Sequence, residues 1–183
     1  MKNEAIKKQI EQARRKYLPE KVTMLLVGEA PPDALNRFFY YENVKDKDFL
    51  FIGVMKILES ESVISHYINM GRPTNEKRRL LESFKSKGYY LMDLSSVPAG
   101  IEMPESHMDE FLSELKQLET DGHIDKETPI ILIKANVYDC LYWRLIGEGY
   151  KNVVNERIPF PSSGQQKKFA EKFRYAIKIA NEK

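Results

Sequence analysis

The sequence predicts an α/β fold: a three-layer α/β/α sandwich around a four-stranded parallel sheet with strand order 2-1-3-4. Short apolar segments alternate with longer segments whose apolar residues recur every three or four positions, which is typical of strands alternating with helices. Strand–helix–strand crossovers are right-handed, so the simplest arrangement places a switch point between the first and third strands. The 183 residues suffice for one domain with a sizeable core, and residues 1–183 are expected to form a single domain.

Four segments have the composition of strands. The first is almost wholly apolar and stops at Gly28, as expected for a strand that is buried on both faces. The fourth is the shortest, and residues 46–59 are ambiguous between helix and strand. The predicted strands are 22–27, 89–94, 129–133 and 151–154.

Helices are predicted before the first strand and after each strand. The first helix has an apolar face and ends at Pro19, because proline cannot continue a helix. Two others have polar residues at their starts, at Thr74 and Ser106. A fourth helix follows the third strand. The last is expected to begin near Ser163 and to carry Phe169, Phe173, Ile177 and Ala180 on one face.

Composition and charge exclude several classes of protein. Lys and Arg number 29 and Asp and Glu 27, and this balance neither requires nor excludes a nucleic-acid partner. A single cysteine excludes a disulfide framework, a four-cysteine zinc site and an iron–sulfur cluster bound by the chain's own thiolates, and we expect no metal and no cofactor. The absence of a signal sequence and of a long apolar run predicts a cytoplasmic protein with no membrane partner; the oligomeric state stays open.

A ligand site is expected at the carboxyl ends of the strands, beside the switch point. The segments there are 28–37, 93–104, 134–138 and 155–165, which are rich in Pro, Gly and short polar residues. In the first segment, two prolines make a rigid loop that carries Glu29 and Asp33. Two carboxylates beside a cleft can orient water or stabilise a developing cation, so both are candidate catalytic residues; Asp33 is equally suited to capping a helix.

Aromatic and polar residues near the same edge supply further candidates. Phe38 or Phe39 can stack on a base, although aromatic runs more often fill a core. The last helix is preceded by hydroxyl and amide side chains and by a nearby arginine, which together are typical of a phosphate site. A plain capped helix explains the same pattern. The candidate phosphate-binding residues are Arg157, Ser162, Ser163 and Gln165.

Three of these segments together resemble the uracil-DNA glycosylase superfamily, above all its thermophilic-type branch. Residues 28–31 read Gly-Glu-Ala-Pro, like the family's first motif, and a phenylalanine that stacks on uracil follows that motif. Strand 89–93 resembles the strand that ends in the uracil-reading residue, here Asp93. Residues 160–162, Phe-Pro-Ser, resemble the family's His-Pro-Ser. The resemblance spans about residues 22–178 and implies a three-layer fold, a DNA partner, base flipping and excision of a base.

Two substitutions in these motifs affect the implied chemistry. Asp93 replaces an asparagine, and an ionised aspartate can only accept hydrogen bonds. It would therefore suit a base edge with two donors, or would have to be protonated. Phe160 replaces the histidine that stabilises the leaving base. The expected function is recognition of a DNA base, with hydrolysis of the N-glycosidic bond of a deaminated or damaged base. The alternatives are a non-catalytic module that binds a nucleotide, nucleic acid or protein, and an unrelated α/β enzyme.

Overall fold

The computed structural model describes residues 2–32, 35–98 and 105–182. In these ranges the chain forms seven α-helices and three β-strands. The strands are β1 (Met24–Gly28), β2 (Tyr89–Asp93) and β3 (Ile130–Leu132). The helices are α1 (Lys2–Lys16), α2 (Phe49–Leu58), α3 (Glu61–Asn69), α4 (Thr74–Ser86), α5 (Glu105–Thr120), α6 (Ala135–Gly147) and α7 (Gln166–Asn181). A short 3₁₀ helix spans Leu35–Arg37.

The sheet is parallel with the order β2-β1-β3. Every residue of β1 and β3 is buried, which requires cover on both faces of the sheet and agrees with their continuous apolar sequence. Helix α4 contacts β2, while α6 and α7 contact β3. The mixed α/β architecture and the position of β1 between β2 and β3 are confirmed.

The prediction of four strands is wrong, because the segment beside β3 forms only two isolated bridges. One bridge pairs Ile130 with Val153, and the other pairs Ile133 with Ile158. Between them, the Glu156 amide donates to the Val154 carbonyl at 3.0 Å, which turns the chain away from the ladder. The segment occupies the position expected of a fourth strand, but the turn prevents it from pairing continuously.

The segment that was ambiguous in the sequence is helical, and a side chain from the preceding loop protects the edge of the sheet. Residues 46–59 contain α2, which packs against α3 and α7. Before α2, the buried Tyr40 hydroxyl donates to the Leu91 carbonyl at 3.1 Å and accepts from the Leu91 amide at 2.7 Å. Tyr40 thereby occupies backbone groups at the free edge of β2, where another strand could otherwise pair. Among the described residues, no helix is long and apolar enough to cross a membrane.

Candidate functional site

A cavity of about 460 Å³ lies at the carboxyl ends of β1 and β2, where the sequence predicts a ligand site. We call it the sheet-end cavity. Two carboxylates and three basic side chains line it, together with an apolar wall made largely of phenylalanines. Its charged lining residues are Glu29, Asp93, Arg37, Lys47 and Lys134, and its aromatic ones are Phe38, Phe39, Phe49 and Phe160.

Parallel pairing brings Glu29 and Asp93 to the same edge of the sheet. Gly28, the last residue of β1, is in register with Asp93, the last residue of β2. The Ser95 amide donates to the Glu29 carbonyl at 2.9 Å, which continues the pairing beyond the strands. A Cβ atom on Gly28 would lie 2.7 Å from Asp93 Oδ1, so only glycine leaves room for this carboxyl group. The two residues therefore converge on one cavity, as expected.

Asp93 is a buried carboxyl group whose pKa lies near neutral pH. It is 6% exposed, and it has no hydrogen-bond partner among the residues of the described ranges. Burial raises its pKa to about 7; Arg14 opposes this, while Glu114 and Glu29 reinforce it. Near neutral pH a substantial fraction of Asp93 is therefore a carboxylic acid, which has one donor and one acceptor. Asp93 borders the sheet-end cavity and also a small cavity lined by Arg14 and Glu114.

Glu29 is fixed by two side chains that follow β3. Lys134 Nζ donates to Glu29 Oε2, and Asn136 Nδ2 donates to Oε1. Lys134 has a φ of +88°, a conformation that L-residues rarely adopt, and its amide donates to the Ile158 carbonyl at 2.9 Å. The backbone is therefore strained at the residue whose ammonium group contacts Glu29, and such strain is commonest at functional sites. Each carboxylate oxygen still has a lone pair that can accept from water.

Phe38 and Phe39 form the inner wall of the cavity and also belong to the core. Their exposed fractions are only 1% and 3%. The Phe39 ring lies 5.3 Å from the centroids of both Phe51 and Phe84, and the Phe38 ring packs edge-on against Tyr41. A flat ligand in the cavity would thus meet rings that neighbouring aromatics hold in place.

The candidate phosphate-binding residues are only partly brought to this cavity. Ser162 lines it, whereas Ser163 and Gln165 are exposed at the start of α7. Helix α7 begins at Gln166 and not near Ser163, because Gly164 adopts a φ of +80° and the Gln165 amide donates to the Ser162 carbonyl. Arg157 lies elsewhere on the surface, where its guanidinium donates to both carboxylate oxygens of Asp139. Asp33 lies outside the described residues.

The sequence places Lys134 and Asn136 at this edge of the sheet, either as rim residues of the site or as polar groups that begin a helix, and both side chains donate to Glu29. Two other residues that act on the site were given no role by the sequence. These are Arg14 on α1 and Glu114 on α5, whose side chains hydrogen-bond to each other at 2.6 Å and whose charges shift the pKa of Asp93. No local sequence pattern indicates that contact.

Comparisons with known proteins assign no function to the residues of this site. No family model, curated protein or solved structure matches the chain. Over the described ranges, no group of three His, Cys, Asp or Glu side chains is arranged to hold a metal ion. The chemistry of the cavity therefore has to be argued from its own side chains.

Proposed function

We propose that the protein recognises a base of DNA in the sheet-end cavity and hydrolyses the N-glycosidic bond of a deaminated or damaged base. One observation carries the proposal. Asp93 is a buried carboxyl group without a described hydrogen-bond partner, and it borders a cavity that also holds Glu29. The Asp93 oxygens are not fully enclosed by the protein, so a polar ligand in a cavity of this size can supply the hydrogen bonds that the described side chains do not make.

The protonation of Asp93 selects the kind of base edge. Deaminated bases share an N–H beside a carbonyl: N3–H and O4 in uracil, N1–H and O6 in hypoxanthine and xanthine. Protonated Asp93 accepts from the N–H and donates to the carbonyl, as an asparagine would. Its pKa of about 7 makes this form available under physiological conditions. The substitution of asparagine by aspartate is therefore compatible with the uracil-like edge that the sequence motifs imply.

The hydrolysis uses Glu29 on the sugar and Asp93 on the base. The target nucleotide leaves the base stack, because its glycosidic bond is inaccessible in a duplex. As the bond between the base nitrogen and C1′ breaks, the electron pair stays with the base and the sugar gains positive charge. Glu29, held by Lys134 and Asn136, accepts a hydrogen bond from water and orients it toward C1′. The water oxygen bonds to C1′, and the proton that it loses passes to Glu29 and then to the released base. The Asp93 hydroxyl donates to the base carbonyl on which the negative charge is delocalised.

Two observations favour a second candidate, a non-catalytic base-binding module. Phe160 lines the cavity and offers no hydrogen-bond donor to a leaving base. Both carboxylate oxygens of Glu29 already accept from neighbouring side chains, which suits a structural role as well as a catalytic one. This module would bind the same base edge through Asp93 and release nothing.

The deciding experiment measures base release from single-stranded and duplex oligonucleotides that carry uracil, hypoxanthine or xanthine. Glu29→Gln is compared with Glu59→Gln, because Glu59 is also a partly exposed glutamate held by a lysine and a second donor but does not line the sheet-end cavity. We expect release by the wild type and by Glu59→Gln, and at least a hundredfold slower release by Glu29→Gln. Binding that depends on the base, without release, establishes the module instead. Neither release nor base-dependent binding refutes both.

A further inference from the structure

A second cavity, of about 480 Å³, lies between α2 and the first half of α7. We call it the basic cavity. Its floor is apolar and includes Phe169 and Ile52. Five basic side chains and two carboxylates line it, which leaves three more positive than negative charges. The basic residues are Lys47, Lys56, Arg72, Lys167 and Arg174, and the acidic ones are Asp48 and Glu61.

The excess positive charge is not neutralised by the protein. Lys56 pairs with Glu61 at 3.5 Å, and Arg72 pairs with the buried Asp48 at 3.3 Å. The other three basic residues, Lys47, Lys167 and Arg174, are exposed and have no ion-pair partner among the described residues. Three unpaired cations around one concave surface attract an anion. They also repel one another, and a bound anion reduces this repulsion.

The walls of the basic cavity contain a closely packed glycine and two residues with a strained backbone. Gly53 lies in the middle of α2, and a Cβ atom there would be 2.8 Å from Pro161 Cβ and 3.1 Å from Phe169 Cε1. Lys47 and Arg72 have φ angles of +53° and +55°. With Lys134, they are the non-glycine residues of positive φ in the described chain; Arg72 lines the basic cavity, Lys134 lines the sheet-end cavity, and Lys47 lines both. Strain of this kind is typical of binding sites.

The basic cavity adjoins the sheet-end cavity. Lys47 and Phe49 line both, and Pro161 in one wall is followed directly by Ser162 in the other. We propose that the basic cavity binds backbone phosphates of the single-stranded nucleic acid whose base enters the sheet-end cavity. This inference rests on the proposed function. It assigns the phosphate contacts to Lys47, Lys167 and Arg174, in place of the Arg157 expected from the sequence.

The test is the salt dependence of binding to a fluorescently labelled single-stranded oligonucleotide, measured by anisotropy. The triple variant Lys47→Gln, Lys167→Gln, Arg174→Gln is compared with Lys8→Gln, Lys168→Gln, Arg79→Gln, which removes the same three charges from exposed positions that line neither cavity. Each phosphate contact contributes about 0.7 to the slope of log K against log salt for single strands, so the first variant should lower the slope by about 2. The control should leave it unchanged. Equal slopes in the two variants overturn the proposal.

Two further measurements separate failure of the phosphate site from failure of the proposed base recognition. Each protein is also titrated with an oligonucleotide that lacks the target base. If the basic-cavity variant still lowers the salt slope, but no protein binds the two oligonucleotides differently, the phosphate site stands and the proposed base recognition fails. Uridine monophosphate is then used as a competitor. Suppose that it displaces the oligonucleotide from the wild type at equal concentration, and that the basic-cavity variant binds both ligands more weakly by the same factor. The phosphate then belongs to a free nucleotide, and the assignment to a nucleic-acid strand is overturned.

Discussion

Replacing Asp93 by asparagine should stabilise the protein at alkaline pH, because it removes a carboxyl group that is difficult to ionise in the folded state. Burial raises the pKa of Asp93 from 3.8 to about 7, against the influence of Arg14 and with that of Glu114 and Glu29. This difference corresponds to roughly 4 kcal/mol, at about 1.36 kcal/mol for each pH unit. The substitution keeps the size of the side chain, so packing against Gly28 is preserved.

The sign and the pH window follow from proton linkage. Below pH 3.8 both the folded and unfolded states hold the proton, and Asp93 causes no loss of stability. As the pH rises, the unfolded chain releases this proton first, so the wild type loses stability until the folded pKa of about 7 is passed. Asp93→Asn should therefore exceed the wild type in free energy of unfolding by about 2–4 kcal/mol at alkaline pH, and by less than about 1 kcal/mol at about pH 4.

Urea unfolding followed by circular dichroism, at a series of pH values, measures this difference. Asp125→Asn is the control of opposite sign, because a hydrogen bond from Lys21 lowers the pKa of Asp125. That variant should lose stability at neutral pH. If Asp93→Asn is no more stable than the wild type at alkaline pH, Asp93 is ionised without penalty, and the argument for a protonated base reader is refuted.

Three other substitutions test separate parts of the account. Lys134→Gly relieves the strained φ but frees Glu29, so we expect base release to slow at least tenfold while the unfolding free energy, from urea titration, changes by less than about 1 kcal/mol. Gly53→Ala should destabilise by about 1–3 kcal/mol through its contact with Pro161, whereas Gly147→Ala, with open space around it, should stabilise slightly. The reverse order in thermal unfolding would contradict the close packing of α2. Burial opposes the ionisation of Glu42, but hydrogen bonds from Lys16, Tyr17 and Arg78 outweigh it and lower its pKa to about 2. Glu42→Gln should thus cost about 1–3 kcal/mol at neutral pH, and this difference should shrink as the pH falls from 4.5 toward 2; a loss independent of pH would show that the charge is not responsible.

The sheet was largely predictable because its strands are short apolar runs that local residues terminate. Gly28 ends β1, and Gly88 with a φ of +78° immediately precedes β2. The fourth strand failed for a reason that composition does not reveal: the Glu156 amide bonds back to Val154 and breaks the ladder. Helix α3 was missed, although Ser60 caps it by accepting from the Val63 amide at 3.2 Å. That serine and the apolar spacing after it were a usable signal.

The candidate site was predictable only where it follows from strand direction. Parallel pairing obliges Glu29 and Asp93 to meet, so their convergence could be anticipated from two segments far apart in the chain. The raised pKa of Asp93 could not be anticipated, since it arises first from burial in the folded chain and then from the charges of Arg14 on α1 and Glu114 on α5. The basic cavity likewise depends on how α2 packs against α7, which is a tertiary contact between segments more than a hundred residues apart.

The most direct test of the central claim, that Asp93 reads the edge of a base, compares two oligonucleotides that differ by one methyl group. One carries deoxyuridine and the other N3-methyldeoxyuridine, which lacks the N–H from which Asp93 would accept a hydrogen bond. Binding is measured on the acid side of the Asp93 pKa of about 7, with the wild type and with Asp93→Ala. The account predicts that methylation weakens binding to the wild type at least tenfold, about 1.4 kcal/mol, and leaves binding to Asp93→Ala unchanged. Equal binding of both oligonucleotides by the wild type, or equal discrimination by the variant, would contradict it.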